Sequence, residues 1–278
     1  EIITGLVGSE MCIRDSALGV QSPEGMYGDR LGVDFHIVTA ESGPLQNLEI
    51  CIQRCHLNVV SMIAAPYASG QACLHEEEKE LGVACIDLGG GSTSISLFCG
   101  GVLVDCSVLP IGGDAITRDV AKMLSTPLEE AERLKTLYGT VLESTADHRE
   151  LLDVRPLTEL DNYGKGGRIR KSQLTGLIRP RVEETLEYVA DGLRGAGFLG
   201  RDVGTVVFTG GGSQLPGINH LGEHILGAPV RFGYPQLIRG LPEAMSGPAF
   251  SAISGALLQA AGVEAVSYTH LTLPTMIG

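Results

Sequence analysis

Residues 82–110 read G-V-A-C-I-D-L-G-G-G-S-T-S-I-S-L-F-C-G-G-V-L-V-D-C-S-V-L-P, and their pattern determines the fold that the sequence predicts. The stretch holds three short apolar segments separated by two glycine turns. Such runs, rich in β-branched and aromatic residues and bounded by glycine, are typical of antiparallel strands joined by tight turns. The sequence therefore predicts a three-stranded β-meander, whose first glycine turn follows just after Asp87.

The chain before this meander alternates between strand and helix patterns. Residues 31–40 alternate apolar and polar side chains, which predicts a strand, and residues 45–56 place apolar side chains at helical spacing. Residues 58–64 form a second strand-like run, and residues 68–80 are predicted as a polar helix with a solvated acidic face.

Two helices are predicted directly after the meander. The first spans residues 114–124. The second has Thr126 as its N-cap, Pro127 at its first position and Glu129 three residues after the cap, which together form a capping box. Gly139 is predicted to close this helix.

The rest of the chain has the pattern of an α/β layer. Residues 140–172 carry polar strands and loops, and Pro180 is predicted to open a long helix with one apolar face. Residues 203–209, V-G-T-V-V-F-T, form an apolar strand that runs into a glycine turn and then a helix from about Leu215. This order indicates an α/β fold with a buried sheet.

The first glycine turn is a candidate phosphate site. Glycine lets backbone N–H groups approach an anion without a Cβ in the way, and a carboxylate at the end of the preceding strand can hold Mg²⁺ through water. The residues concerned are Asp87, Gly89, Gly90, Gly91, Ser92 and Thr93. A tight hairpin with an aspartate cap explains the same residues, so the turn alone leaves both interpretations open. No G-x-x-x-x-G-K-[ST] motif occurs, and the glycine run at residues 210–212 does not form G-x-G-x-x-G, which disfavours P-loop and Rossmann folds.

Two further features are candidates for the same kind of site. A second glycine turn joins a buried strand to a helix start, where N–H groups and the helix dipole favour an anion. Its residues are Gly210, Gly211, Gly212 and Ser213. Glu132 and Lys135 lie three residues apart on one predicted helix and share a face. Taken singly, the pair is better explained as an ordinary surface ion pair.

The order of these elements resembles the second half of the actin-type ATPase fold. It runs from D-L-G-G-G-S-T through G-G-D and A-E-R-L-K to T-G-G-G. Within that superfamily, about residues 25–262 resemble the FtsA family of bacterial cell-division proteins, most clearly in F-T-G-G-G-S-Q-L-P-G-I and A-P-V-R-F-G-Y-P. The fold class this implies is α/β, an actin-like (ribonuclease H-like) ATPase fold with a truncated first half and a smaller α+β subdomain inserted in the second half.

The resemblance implies roles for single residues on the phosphate side. Asp87 and residues 89–93 become the second phosphate loop, with Asp87 holding Mg²⁺ through water. Asp87 is also the implied catalytic residue, because it and the metal would orient the attacking water. Gly112 and Gly113 match a family turn near the cleft.

On the other side of the implied site, Glu132 and Lys135 would flank the adenosine, and residues 210–213 would form the adenosine-side glycine turn. The implied cofactors are therefore ATP and Mg²⁺. The family's first phosphate loop and its C-terminal membrane-binding helix are expected to be missing from this chain, so we expect it to bind ATP poorly.

The resemblance also predicts how the chain divides. The predicted segments are a foreign adapter-like tail over 1–16, a remnant of an FtsA-specific subdomain over 17–44, the end of the first actin-like subdomain over 45–80, the second actin-like subdomain over 81–113 and 202–265, a smaller inserted subdomain over 114–201, and a second foreign tail over 266–278. Both tails are expected to make no regular pairing with neighbouring strands.

The function implied by the resemblance is that of an ATP-binding, filament-forming adaptor. It would be cytoplasmic and link the FtsZ ring to the inner face of the cell membrane at the division site, with at most slow regulatory ATP hydrolysis. The implied partners are the FtsZ C-terminal peptide, further copies of itself and other divisome proteins. Two alternatives share parts of the pattern: an exopolyphosphatase or guanosine-pentaphosphate phosphatase, and another actin-fold assembly protein such as MreB or PilM.

Composition excludes some other classes. The 278 residues carry a formal charge of -13, which argues against nucleic acid as a partner. No window reaches the roughly 18 apolar residues of a membrane helix. The seven cysteines include no C-x-x-C pair, which favours a reducing cytosol. Cys51, Cys55 and His56 are a weak metal candidate, because their spacing is also that of a helix face.

One basic run stands out in this acidic chain. Its residues are Lys165, Arg168, Arg170 and Lys171, followed by Arg179 and Arg181 at a predicted helix start. In an FtsA-like protein such a run on the inserted subdomain is a candidate docking surface for the acidic FtsZ peptide. A solvated loop explains residues 165–171 at least as well.

Overall fold

The computed structural model describes residues 2–13, 17–20, 31–157, 167–199, 204–236 and 242–262. The strands are β1 Ile2–Ile13, β2 Ala17–Val20, β3 Leu31–Glu41, β4 Val83–Leu88, β5 Thr93–Cys99, β6 Val102–Leu109, β7 Leu151–Val154, β8 Gly167–Arg170, β9 Thr205–Thr209 and β10 Val230–Phe232. The helices are α1 Ser42–Arg54, α2 Ala65–Cys73, α3 Glu76–Leu81, α4 Gly113–Leu124, α5 Leu128–Tyr138, α6 Lys171–Gly195, α7 Ile218–Leu226 and α8 Ser251–Gly262.

A five-stranded sheet in the order β10-β9-β4-β5-β6 forms the centre of the molecule. Strands β4, β5 and β6 are successive antiparallel neighbours, so the predicted meander is confirmed. On its other side β4 runs parallel to β9, and Asp87 stands opposite Thr209. The two glycine turns, which follow β4 and β9, therefore leave the sheet from the same edge.

The central strand β4 is apolar throughout because both faces of the sheet are covered. Its alternate residues Ala84 and Ile86 belong to one buried cluster, and Val83 and Cys85 belong to another on the opposite face. Helix α6 joins the first cluster with a row of buried side chains, namely Leu174, Ile178, Val182, Leu186, Val189 and Leu193.

Helices α2 and α8 pack against each other with very little space between them. A Cβ added at Gly255 would lie 1.8 Å from the carbonyl oxygen of Ala68, and one added at Gly70 would lie 2.4 Å from the ring of Phe98. Both positions require glycine for this close approach. The packing fixes α2 against the face of the sheet that carries Val83 and Cys85.

The structure corrects the predicted start of the long helix. Helix α6 begins at Lys171, and Pro180 lies inside it rather than opening it. An interior proline costs about 3 kcal/mol because it removes one backbone hydrogen bond and crowds the preceding turn. Each fully buried aliphatic side chain contributes about 1.5 to 3 kcal/mol, so the apolar row of α6 outweighs that cost.

The predicted capping box at Thr126 is also wrong. Helix α5 starts at Leu128 with Pro127 as its N-cap, and the Thr126 hydroxyl donates a 2.5 Å hydrogen bond to the carbonyl oxygen of Arg155. The hydroxyl is thus used in a contact between distant segments. Gly139 is the C-cap of α5, as predicted.

Two predictions upstream of the meander need correction as well. Residues 58–64 form no strand: the segment has no pairing partner among the described residues, and Val60 is 94% exposed. Residues 68–80 fall in two helices, α2 and α3, because the chain is extended at Leu74 and His75.

The amino-terminal segment pairs regularly, which contradicts the expectation for residues 1–16. Strand β1 is antiparallel to both β3 and β2, with Ile3 opposite Ala40 and Met11 opposite Val20. The apolar and β-branched residues of this segment suit a strand. The expected foreign origin of residues 1–16 therefore did not predict how the segment pairs. Residues 266–278 lie outside the described residues.

Candidate functional site

The first glycine turn presents backbone N–H groups at the end of β4. The N–H of Gly89 donates to the carbonyl oxygen of Ser92 at 3.0 Å and closes the turn. The N–H groups of Gly90, Gly91 and Ser92 donate to no backbone carbonyl within the described part of the chain. Successive free N–H groups in a turn form a concave surface that favours an anion.

The turn at Gly112 and Gly113 supports the first turn directly. Gly113 N–H donates to the Gly89 carbonyl oxygen at 2.9 Å, and Asp114 N–H donates to that of Gly90 at 2.8 Å. A Cβ on Gly112 would lie only 2.5 Å from the Gly90 oxygen, so any side chain here would displace the first turn. These first N–H groups of α4 thus hold the first turn in place instead of facing a ligand.

Asp87 lies behind the first turn, where its carboxylate is held on both sides. The Ser69 hydroxyl on α2 donates to Oδ2 of Asp87 at 2.5 Å. Oδ1 faces Gly210, whose Cβ would lie 2.3 Å from that oxygen. Burial raises the pKa of Asp87 above its ordinary value, and the Ser69 hydrogen bond lowers it by less. Asp87 is thus a fixed, partly desolvated carboxylate that does not line the cleft described below.

The second glycine turn begins where β9 ends. Gly210 has φ of +83°, a conformation that glycine adopts freely, and residues Gly211–Gln214 form a 3₁₀ turn. The buried hydroxyl of Ser213 donates to the Gly210 carbonyl oxygen at 2.7 Å. Ser213 therefore stabilises the turn from inside, while Gly211 is exposed.

Glu132 and Lys135 form a short ion pair on α5. Lys135 Nζ lies 2.6 Å from Oε2 of Glu132, and it also donates to the Thr117 hydroxyl at 2.8 Å and to the Gly113 carbonyl oxygen at 3.2 Å. Burial raises the pKa of Glu132, but the hydrogen bonds from Lys135 and Thr117 and the charge of Lys135 together lower it by more. Its pKa therefore lies below the ordinary carboxyl value, and Glu132 is ionised at neutral pH.

A cleft of about 440 Å³ joins these parts. Nine of the predicted residues line it, namely Gly89, Gly90, Thr93, Gly112, Gly113, Glu132, Lys135, Gly211 and Gly212. The other five, Asp87, Gly91, Ser92, Gly210 and Ser213, do not line it. The cleft therefore brings parts of both glycine turns together with Glu132 and Lys135. The volume is in the range of small-ligand sites.

One predicted cleft residue has its side chain engaged elsewhere. Thr93 is fully buried, and its hydroxyl donates to the carbonyl oxygen of Ile111 at 2.8 Å. Thr93 therefore anchors the segment before α4 rather than offering its hydroxyl to a ligand.

The cleft also has an apolar wall that the sequence prediction missed. Its side chains come from α6, from the segment between the second glycine turn and α7, and from the start of α7, and they are Val182, Leu186, Leu215 and Ile218. Helical periodicity marks Val182 and Leu186 only as core residues. An apolar wall facing two glycine turns and an ion pair suits a ligand with one apolar and one anionic end.

The sequence profile described as "Cell division protein FtsA" matches residues 84–255. The chain belongs to the FtsA family. The FtsA protein of Agrobacterium fabrum is 44% identical over 252 residues, which cover 90% of this chain and 57% of that protein. This FtsA chain thus spans a little over half the length of the curated relatives that it matches.

Solved structures confirm the predicted actin-like fold of this FtsA chain. MreB5 of Spiroplasma citri bound to ADP has a TM-score of 0.62 at 15% identity, covering 81% of this chain and 67% of that one. The PilM–PilN type IV pilus biogenesis complex has a TM-score of 0.59 at 19% identity, covering 91% and 66%. Identities this low show a shared fold only. The family match favours FtsA over the phosphatase, MreB and PilM alternatives.

Four of the basic residues predicted as a docking surface for the FtsZ peptide are paired with carboxylates within the chain. Arg179 and Arg181 lie inside α6, so their predicted place at a helix start is wrong. The pairs are Arg168 with Asp153, Lys171 with Asp147 and Glu150, Arg179 with Glu143 and Glu183, and Arg181 with Asp119 and Glu184. Lys165 lies outside the described residues. The local positive charge is therefore largely compensated.

No cluster of metal-ligating side chains is present among the residues that the structure describes. Cys51 and Cys55 are exposed on and just after α1, and no group of three or more His, Cys, Asp or Glu side chains in the described ranges is arranged to hold an ion. Among the described helices of this FtsA chain, none is long and apolar enough to cross a bilayer.

Proposed function

We propose that this chain is the nucleotide-binding part of an ATP-dependent, filament-forming cell-division adaptor. The observation that carries the proposal is the single cleft in which two glycine turns, an acid–base pair and an apolar wall converge. A nucleoside triphosphate has matching parts: an anionic phosphate chain, a ribose with hydroxyl donors and a flat apolar base. The family membership and the actin-like fold support the same assignment.

The first glycine turn is proposed to bind the phosphates. The free N–H group of Gly90, which lines the cleft, supplies a donor to an anion, with those of Gly91 and Ser92 next to it in the turn, and the Gly112 turn keeps the loop in position. The apolar wall is proposed to cover the base, and Glu132 with Lys135 to contact the adenosine.

Magnesium is proposed to bind with the phosphates, near Asp87. The carboxylate of Asp87 is a hard oxygen donor of the kind Mg²⁺ prefers, and sites with one carboxylate plus phosphate oxygens and waters are common for this ion. Because the Ser69 hydroxyl already occupies Oδ2, contact through water fits better than direct ligation. A bound Mg²⁺ would neutralise phosphate charge, and Asp87 would orient water, which supports at most slow, regulatory hydrolysis.

The finer points of the function are proposals that rest on the family. As an FtsA protein, the intact molecule is proposed to link the FtsZ ring to the inner membrane face at the division site, through the FtsZ C-terminal peptide, self-assembly and other divisome proteins. Membrane attachment is proposed to use a C-terminal helix. The subdomain limits at residues 81–113, 114–201 and 202–265 are part of the same proposal.

Titration of this chain with a fluorescent ATP analogue in the presence of Mg²⁺ tests the proposed site. Glu132→Ala should weaken binding by about 1 to 3 kcal/mol, the usual loss for a charged hydrogen bond in a partly buried site. Glu129→Ala is the matched control, because Glu129 lies on the same helix with its side chain 92% exposed. Equal affinity for the two variants, or no binding by the unaltered chain at saturating nucleotide, contradicts the proposal.

A further inference from the structure

Thr117 occupies the point where α4 and α5 meet beneath the cleft. It is 7% exposed, yet its hydroxyl contacts both members of the ion pair on α5. Oγ1 lies 2.5 Å from Oε2 of Glu132 and 2.8 Å from Nζ of Lys135. It also lies 3.2 Å from the carbonyl oxygen of Gly113, one turn earlier on α4.

The chemistry of these groups fixes the direction of the hydrogen bonds. A hydroxyl has one hydrogen to donate, and the Lys135 ammonium can only donate, so Oγ1 accepts from Lys135. The Thr117 hydrogen has two possible acceptors, Oε2 of Glu132 and the carbonyl oxygen of Gly113. Oε2 belongs to an ionised carboxylate and lies nearer to the Thr117 hydroxyl than the Gly113 oxygen does. Charge-assisted hydrogen bonds are shorter and about twice as strong as neutral ones. The bonds therefore run from Lys135 to Thr117 and from Thr117 to Glu132.

This arrangement uses one oxygen of Glu132 and leaves the other available. Oε2 receives both the Lys135 ammonium at 2.6 Å and the Thr117 hydroxyl. Among the residues that the structure describes, Oε1 receives only a long 3.4 Å hydrogen bond from Thr136, and half of the Glu132 side chain is exposed. A carboxylate fixed by one oxygen at the wall of a cleft can accept from a ligand with the other.

We propose that Thr117 is a positioning residue that sets nucleotide specificity. By holding Oε2 together with Lys135, it directs Oε1 of Glu132 toward a neutral hydrogen-bond donor of the bound nucleotide. This donor is a ribose hydroxyl or the amino group of adenine. The inference rests on the proposed nucleotide-binding function and adds to it the residue that orients the specificity contact.

A purely structural role for Thr117 predicts a different outcome. Threonine in a helix often donates to the carbonyl four residues earlier, as Thr175 does to Lys171 at 3.2 Å on α6. Thr175 is 1% exposed and does not line the cleft, so Thr175→Val removes a buried hydroxyl without touching Glu132. It is the matched control for Thr117→Val, and both substitutions nearly conserve volume.

The experiment measures the affinity of each variant for ATP, 2′-deoxy-ATP, 3′-deoxy-ATP and inosine triphosphate. The unaltered chain should prefer ATP over at least one analogue, and the weaker analogue identifies the donor as a ribose hydroxyl or the adenine amino group. Thr117→Val should reduce that preference by about tenfold, the effect of one charged hydrogen bond. Thr117→Ser and Thr175→Val should keep it. With Glu132→Gln already in place, Thr117→Val should have little further effect on the preference.

Circular dichroism verifies that each variant is folded, and Thr117→Ala replaces Thr117→Val if the valine variant does not fold. A chain that binds ATP without preference over any analogue, or whose preference survives Thr117→Val, overturns the role of Thr117 and leaves the proposed function intact. A chain that binds none of the four nucleotides overturns the proposed function, and the role of Thr117 with it.

Discussion

The hydroxyl of Ser69 on α2 donates a 2.5 Å hydrogen bond to Oδ2 of Asp87 at the end of β4. Ser69 is 1% exposed and comes from a helix eighteen residues earlier in the chain. This bond ties α2 to the strand that carries the first glycine turn. A shift of α2 would therefore move the Asp87 carboxylate relative to the proposed phosphate site.

Ser69→Ala should destabilise the fold chiefly at neutral pH. The folded-state pKa of Asp87 is raised by burial, so its contribution to stability is greatest at acid pH and falls as the pH rises from the ordinary carboxyl pKa through the raised one. The Ser69 bond partly offsets this loss because it favours the ionised form. Removing it should cost about 1 to 3 kcal/mol at neutral pH and less in acid.

Urea unfolding at neutral pH and near pH 4, where carboxyl groups become protonated, measures this difference. Asp87→Asn supplies the control, because an uncharged side chain removes the titration and should make the cost of Ser69→Ala independent of pH. An equal cost at both pH values in the Asp87 background would contradict the role assigned to the bond.

Gly112→Ala should disturb the first glycine turn. A Cβ at this position would lie 2.5 Å from the Gly90 oxygen and 2.7 Å from the Gly89 oxygen, and neither backbone atom can move without opening the turn. Overpacking of this kind costs about 1 to 3 kcal/mol. Thermal unfolding and ATP titration should both show a loss.

Gly176→Ala is the matched comparison for Gly112→Ala. Nothing lies within 4 Å of its added Cβ, and it sits inside α6, where alanine is favoured over glycine by about 1 kcal/mol. The melting temperature should rise in this variant. A stable Gly112→Ala protein with unchanged ATP affinity would show that the first turn tolerates displacement.

Local features of the chain were predicted better than contacts between distant segments. The meander at residues 82–110 and both glycine turns depend on neighbouring residues, and the structure has them as predicted. The prediction of a capping box was wrong because the hydroxyl of Thr126 donates to the carbonyl oxygen of Arg155, twenty-nine residues away. The bond from Ser69 could likewise not be predicted from neighbouring residues, because its partner, Asp87, lies on another element.

The same distinction explains which parts of the cleft the sequence could not reveal. The spacing of Glu132 and Lys135 predicted a shared helix face, and the family resemblance placed the pair at the site, but Thr117 joins them only because α4 packs beside α5. The apolar wall combines Val182 of α6 with Ile218 of α7. Periodicity identifies such residues as buried, and only the packing of the helices decides that they face a cleft.

The ion pairs of Arg181 lead to a prediction about the packing of α4 on α6. Arg181 Nε contacts Asp119 on α4 at 2.5 Å and its guanidinium also contacts Glu184, so Arg181→Ala should weaken the packing of α4 on α6. The expected cost is up to about 1 kcal/mol and should shrink in high salt, because partly exposed ion pairs are screened. Urea unfolding at two salt concentrations measures it.

An acidic peptide would have to displace the carboxylates that already pair with Arg179 and Arg181. Titration of an FtsZ C-terminal peptide should therefore give an affinity that changes less than threefold, about 0.7 kcal/mol, on Arg179→Ala. A large, salt-dependent loss would instead restore the basic run as the docking surface, without affecting the family assignment.

Gly210→Ala and Gly211→Ala should separate the structural role of the second glycine turn from its proposed binding role. Gly210 has φ of +83°, and its added Cβ would lie 2.3 Å from Oδ1 of Asp87, so alanine there adds backbone strain and a contact with a buried carboxylate. Gly211 lines the cleft, and its added Cβ meets only Ala249 at 3.8 Å. Gly210→Ala should lower the free energy of unfolding by about 2 to 4 kcal/mol. Gly211→Ala should leave the free energy of unfolding unchanged and reduce the affinity for ATP, because the new methyl group enters the cleft. Equal effects of the two substitutions in unfolding and in ATP titration would contradict this division of roles.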